Sequence, residues 1–116
     1  MTFTVRQIST SGVYEFNISG NNVVWQGNRT IEEYVIDFGE DAEIFLYNGS
    51  HIIQLTNNSF YDPVPRISGN NIVWTGGFNN DAEIFLYNGS NTTQITDNTQ
   101  SDSGVQIFGN NVVWWG

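Results

Sequence analysis

Apolar residues fall along this chain in short runs rich in Val, Ile, Phe, Tyr and Trp, and Gly, Asn or Ser closes most of them. No stretch carries an apolar stripe at helical spacing, so the pattern predicts short strands and almost no helix. In the run Glu43–Tyr47, Ile44 and Leu46 point to one face of a strand and Phe45 and Tyr47 to the other. Both faces are then apolar, which suits a sheet covered on each side better than a sheet with one wet face.

The pattern repeats. Asp41-Ala-Glu-Ile-Phe-Leu-Tyr-Asn-Gly-Ser50 recurs unchanged as Asp81 to Ser90. Gly-Asn-Asn followed by two aliphatic residues and Trp occurs at Gly20 to Trp25, Gly69 to Trp74 and Gly109 to Trp114. A third marker, Gln then Leu or Ile then Thr or Ser, starts at Gln7, Gln54 and Gln94. The markers keep one cyclic order, so local features are to be read as copies of one unit. Asn48-Gly49 and Asn88-Gly89 predict type I′ hairpins, and Gly-Asn-Asn predicts a second tight turn. Each unit then holds four strands: one ending at Ile18, Ile67 or Ile107, one ending at Trp25, Trp74 or Trp114, one over Glu43–Tyr47 or Glu83–Tyr87, and one around Gln7, Gln54 or Gln94. Four antiparallel strands in roughly forty residues is the rhythm of a propeller blade.

The run Ile-Ser-Gly-Asn-Asn-Val-Val-Trp at 18–25, then Asp-Ala-Glu-Ile-Phe-Leu-Tyr-Asn-Gly-Ser, then Gln-Leu-Thr, resembles the TolB-like β-propeller repeat, particularly the highly similar tandem copies of bacterial surface and secreted propellers. The resemblance implies an all-β chain of four-stranded antiparallel blades, with an extracellular or cell-surface setting. It implies little about activity, because propellers host many unrelated functions. The expected organisation is one repeat domain: a partial blade over 1–11, repeats over 12–60 and 61–100, and a partial blade over 101–116. That is about two and a half to three blades, where closed propellers use about four to eight. We therefore expect a cyclic homo-oligomer, dimer or trimer, in which the strands of Ile107–Trp115 share a blade with the next copy's N-terminal strand. Between Trp25 and Asp41 the first repeat is longer than the second. There Glu33-Tyr-Val-Ile-Asp-Phe-Gly39 reads either as an extra strand or as a hairpin extension.

Composition narrows the partners. Twelve acidic residues against three arginines give a net charge of −9, the wrong sign for nucleic acid or an anionic membrane surface. The chain has no cysteine and a single histidine, His51, which excludes disulfides, thiolate sites and a multi-histidine metal centre within one chain. No apolar run is long enough for a helical membrane span, and the start Met-Thr-Phe-Thr-Val-Arg lacks the charged and apolar regions of a signal peptide. The chain reads as soluble.

Candidate sites follow from where the copies agree and differ. Asn17, Arg66 and Gln106 are equivalent positions on the inner strands. They read as an anion- or sugar-binding set anchored by Arg66, or as the polar lining of a wet channel. Asp41 with Glu43, and Asp81 with Glu83, offer oxygen ligands to Ca²⁺, or ordinary turn chemistry before a strand. Trp25, Trp74 and Trp114 are either packing between blades or stacking platforms for sugar rings. Phe78 and Trp115 break the pattern beside glycines and are the better ligand contacts. His51 falls on the outer strand with no nucleophile near it in sequence, and no motif specifies a carboxylate pair. The reading is a non-enzymatic binding or scaffold module, with carbohydrate as the candidate ligand. A purely structural self-assembling fragment is the alternative from another class, and a hydrolase with a carboxylate pair is the third.

Overall fold

The computed structural model describes residues 13–28, 30–31, 34–35, 42–57, 64–77 and 81–116. Among these there is no helix. Strands β1 (Val13–Ser19), β2 (Asn22–Asn28), β5 (Ala42–Tyr47) and β6 (Ile52–Gln54) form one four-stranded antiparallel sheet in that order. Strands β7 (Arg66–Ser68), β8 (Asn71–Gly76), β9 (Glu83–Tyr87) and β10 (Thr92–Gln94) form a second with the same meander. A third sheet holds β11 (Ser103–Phe108) and β12 (Asn111–Trp115). Strands β3 (Thr30–Ile31) and β4 (Tyr34–Val35) pair only with each other between β2 and β5, so the described part of the long first-repeat insertion is a separate hairpin. The first-strand segment around Gln7 lies outside the described residues.

Sequence period sets the packing. Each sheet has a front face, turned toward the preceding sheet, and a back face, turned toward the next. Val24, Ile44 and Leu46 from the back of the first sheet meet Ile67, Ile72 and Trp74 from the front of the second, with Phe85 and Tyr87 packed against them. Val73 and Ile84 from the back of the second meet Val105 of the third, with Leu86, Ile107 and Val112 beside them. Fully burying an Ile or Val side chain is worth about 1.5–3 kcal/mol, so two stacked interfaces of this kind hold the sheets together. Trp25 stacks on Phe45 and Trp74 on Phe85, with centroids 5.8 and 5.9 Å apart, because each pair is directly opposite across neighbouring strands.

Two turns differ from the expectation. At Asn48-Gly49 the strands close at Tyr47 opposite Ile52, leaving a four-residue connection in which Gly49 alone takes positive φ (97°). Asn48 is held instead by its side chain, whose Oδ1 accepts from the N–H groups of Ser50 and His51 at 3.0 and 2.9 Å. That Asx arrangement satisfies the loop without the left-handed asparagine of a type I′ turn. In the Gly-Asn turns the glycine takes the left-handed position, Gly20 and Gly109 at φ 59° and Gly69 at 61°, while the following asparagine does not. Glycine first is the type II′ order. A further repeat feature is a kink of the first strand: Glu15, Val64 and Gly104, three residues before Ile18, Ile67 and Ile107, have φ of 33°, 42° and 66°. In β1 and β11 the register shifts at this point, which is the behaviour of a β-bulge.

Candidate functional site

The inner-strand triplet occupies one register position, with Asn17 opposite Val24, Arg66 opposite Val73 and Gln106 opposite Val113. Sharing a face with those valines turns the three side chains to the back of each sheet. Arg66 Nη1 donates to the Pro65 carbonyl at 3.3 Å. Of the two pattern-breaking aromatics, Phe78 lies outside the described residues, and Trp115 is exposed on the back of β12. Its indole lies over Gly104, where a Cβ would stand 2.1 Å from the ring.

The acidic pairs divide. Asp41 lies outside the described residues and Asp81 is exposed, whereas Glu43 and Glu83 are buried. The hydroxyl of Thr56 accepts the Ile44 N–H at 2.9 Å and donates to Glu43, and Thr96 does the same for Ile84 and Glu83. Glu83 Oε1 also accepts the Asn98 N–H at 2.9 Å, and Asn98 Nδ2 donates to buried Asp102 at 2.8 Å. Gln54 and Gln94 reach forward to the Thr56 and Thr96 carbonyls at 2.7 and 2.8 Å. The Gln-Leu/Ile-Thr marker is therefore a clamp that ties the chain after the fourth strand to a buried carboxylate on the third. Among the described residues no three His, Cys, Asp or Glu side chains gather at metal-binding distance.

Removing the clamp leaves the Ile84 N–H and a Glu83 oxygen buried without that hydroxyl. Thr96→Val is expected to cost about 2 kcal/mol, read as a lower urea midpoint, while Thr96→Ser restores most of it. An unchanged midpoint in Thr96→Val would contradict the clamp.

One group of residues that the linear sequence does not bring together forms a cleft of about 220 Å³ between the first and second sheets, at their turn end. Its floor is apolar, made by Leu46, Ile53, Ile67 and Ile72. Asn22, Asn48, Asn70 and Tyr87 line it with polar groups, beside Gly89. Asn22 Nδ2 donates to the Gly69 carbonyl at 2.9 Å and to Asn70 Oδ1 at 3.0 Å, bridging the two sheets across the cleft. Nearby, Ser19 Oγ accepts the Gly69 N–H at 2.9 Å, and Ser68 Oγ accepts the Gly109 N–H at 2.9 Å. Each serine latches its sheet to the next.

Both outward faces of the stack expose apolar residues, although Trp25, on the front of the first sheet, is 5% exposed. On the front of the first sheet Phe16 and Ile18 are 72% and 67% exposed, while their equivalents Pro65 and Ile67 are buried against the first sheet. On the back of the third sheet Val113 is 61% exposed, while its equivalents Val24 and Val73 are fully buried. At the latch position the third sheet has Phe108, 85% exposed, in place of Ser19 and Ser68.

No protein-family model, curated protein or solved structure matches the chain. No helix among the described residues is long and apolar enough to cross a membrane.

Proposed function

We propose that this chain is a non-enzymatic scaffold and binding module whose copies join head to tail into a closed β-propeller of two or three chains. The observation that supports the reading is the mismatch between equivalent residues: Phe16 and Ile18 on one outward face, and Val113 on the other, are exposed at positions that are buried or half-buried where a neighbouring sheet is present. Because β11 and β12 repeat β7 and β8, the back of the third sheet offers part of the surface that receives the next front face inside the chain, and the first sheet carries such a front face. Exposed apolar faces of this kind call for a partner. A contact between two different faces of one chain is heterologous, and it closes as a ring when the rotation per copy divides the circle. TolB-like propellers supply the pattern for the closed form.

The test uses the registration of the turns. Inside the chain Asn22 of one sheet meets Asn70 of the next at 3.0 Å. The equivalent pair between copies is Asn111 and Asn21. Since the chain has no cysteine, Asn21→Cys and Asn111→Cys copies refolded together can be treated with a short bis-maleimide. The expected product joins unlike copies. Products joining only like copies, or no product, would overturn head-to-tail assembly.

A further inference from the structure

We propose that the cleft between the first and second sheets is a binding site for one uncharged saccharide ring, a ligand assignment that rests on the reading of the chain as a binding module. The argument starts from which polar atoms the fold has already used. Asn22 Nδ2 is spent on the Gly69 carbonyl and on Asn70 Oδ1. This orients both carboxamides and leaves an acceptor, Asn22 Oδ1, beside a donor, Asn70 Nδ2. Asn48 Oδ1 is spent on the N–H groups of Ser50 and His51, which leaves its Nδ2 as a second donor. The two tyrosines of the identical decapeptides then differ. Tyr47 Oη donates to the Gly49 carbonyl at 3.0 Å, whereas the Tyr87 hydroxyl, on the cleft, makes no corresponding bond to Gly89 among the described residues.

The four groups alternate in character: one acceptor, two donors, and a hydroxyl able to do both. Such a set matches adjacent sugar hydroxyls, each of which also gives and takes a hydrogen bond. No charged side chain lines the cleft, so an ionic ligand would lose its water without gaining a counter-charge. The net charge of −9 opposes anions in particular. Below the polar rim, Leu46, Ile53, Ile67 and Ile72 offer an apolar floor to the C–H face of a pyranose. At about 220 Å³ the space is below the roughly 300–1,000 Å³ of drug-sized sites, which limits it to a single ring. The equivalent place between the second and third sheets keeps Asn71, Asn88 and Asn110 but has Thr93 for Ile53, and the third sheet has no described third strand to supply a tyrosine. One site per chain is expected.

The experiment is an NMR titration of the full chain, labelled with ¹⁵N, with the methyl glycosides of glucose, mannose, galactose and N-acetylglucosamine, and with glucuronate as a charged control. At least one neutral glycoside should shift the resonances of Asn22, Asn48, Asn70 and Tyr87 together, and glucuronate should not. Tyr87→Phe removes only the unspent hydroxyl and should weaken that binding about tenfold with an unchanged urea midpoint, while Tyr47→Phe leaves it unaltered. The proposal is overturned if no neutral glycoside shifts the cleft resonances at about 50 mM, if the shifts centre on Arg66 or Trp115, or if Tyr87→Phe binds as well as the parent. Every group invoked belongs to one chain, so the titration reads the cleft whether or not the copies assemble. Cross-linking reads the assembly whether or not the cleft binds.

Discussion

Trp74→Ala is expected to cost about 3–5 kcal/mol, a large share of the roughly 5–15 kcal/mol that holds a domain of this size together. Trp74 is 2% exposed, stacks on Phe85 and touches the back of the first sheet, so its removal opens a cavity in the middle of the stack. The same change at Trp114 is expected to cost about 1 kcal/mol, because Trp114 is 41% exposed and loses correspondingly less buried surface. The measurement is the pair of urea midpoints. Equal losses at the two positions would contradict the packing order, since the three-fold marker in the sequence treats these tryptophans alike and only their neighbours distinguish them.

Phe108→Asp carries the second large effect. At 85% exposure the phenyl ring contributes little to the fold of one chain, so the urea midpoint of the dissociated chain should barely move. In the proposed assembly the phenyl ring would be buried against the Gly20 turn of the next copy, at the place where Ser19 and Ser68 make their latches inside the chain. A charge there has no partner. Aromatic anchors at the centre of an interface are worth about 2 kcal/mol or more, so the assembly should weaken at least about thirtyfold. Phe108→Ser is the instructive companion. It restores the residue of the internal copies and should give back part of the affinity through a hydrogen bond to the Gly20 N–H. An assembly indifferent to Phe108→Asp would mean that this face is not the one covered.

How legible the molecule was in its sequence depended on whether a feature is carried by residue identity or by juxtaposition. The two four-stranded sheets, and the pairing of Ile44 and Leu46 on one face with Phe45 and Tyr47 on the other, follow from strand periodicity and repeat spacing. The turn at Asn48 did not follow. Asn-Gly favours a type I′ turn, but here the Asn48 side chain captures two backbone N–H groups and stabilises a longer loop. The kinked position is occupied by Glu15, Val64 and Gly104, three unlike residues, so no residue type announces a geometry that the strand pairing imposes.

The candidate site divides along the same line. Glu43 and Glu83, each two residues after an aspartate, read as oxygen ligands or as turn chemistry; in the structure both are buried on their strands, while Asp81 lies in the exposed connection before β9 begins, a difference that strand periodicity does not announce. Their partners Thr56 and Thr96 were visible as a repeated marker, and what could have linked them to the glutamates is the constant spacing of thirteen residues in both copies. The cleft draws Asn22, Asn48, Asn70 and Tyr87 from two repeats. Each is an ordinary turn or strand residue in its own unit, and only stacking one unit on the next makes them converge.

Light scattering from the unmodified chain at micromolar concentration tests the assembly most directly. The account predicts a particle of two or three times 13.1 kDa, independent of further dilution over the range where Phe108→Asp has already fallen apart. A homogeneous 13.1 kDa species, with Phe16, Ile18 and Val113 left in water, would contradict it.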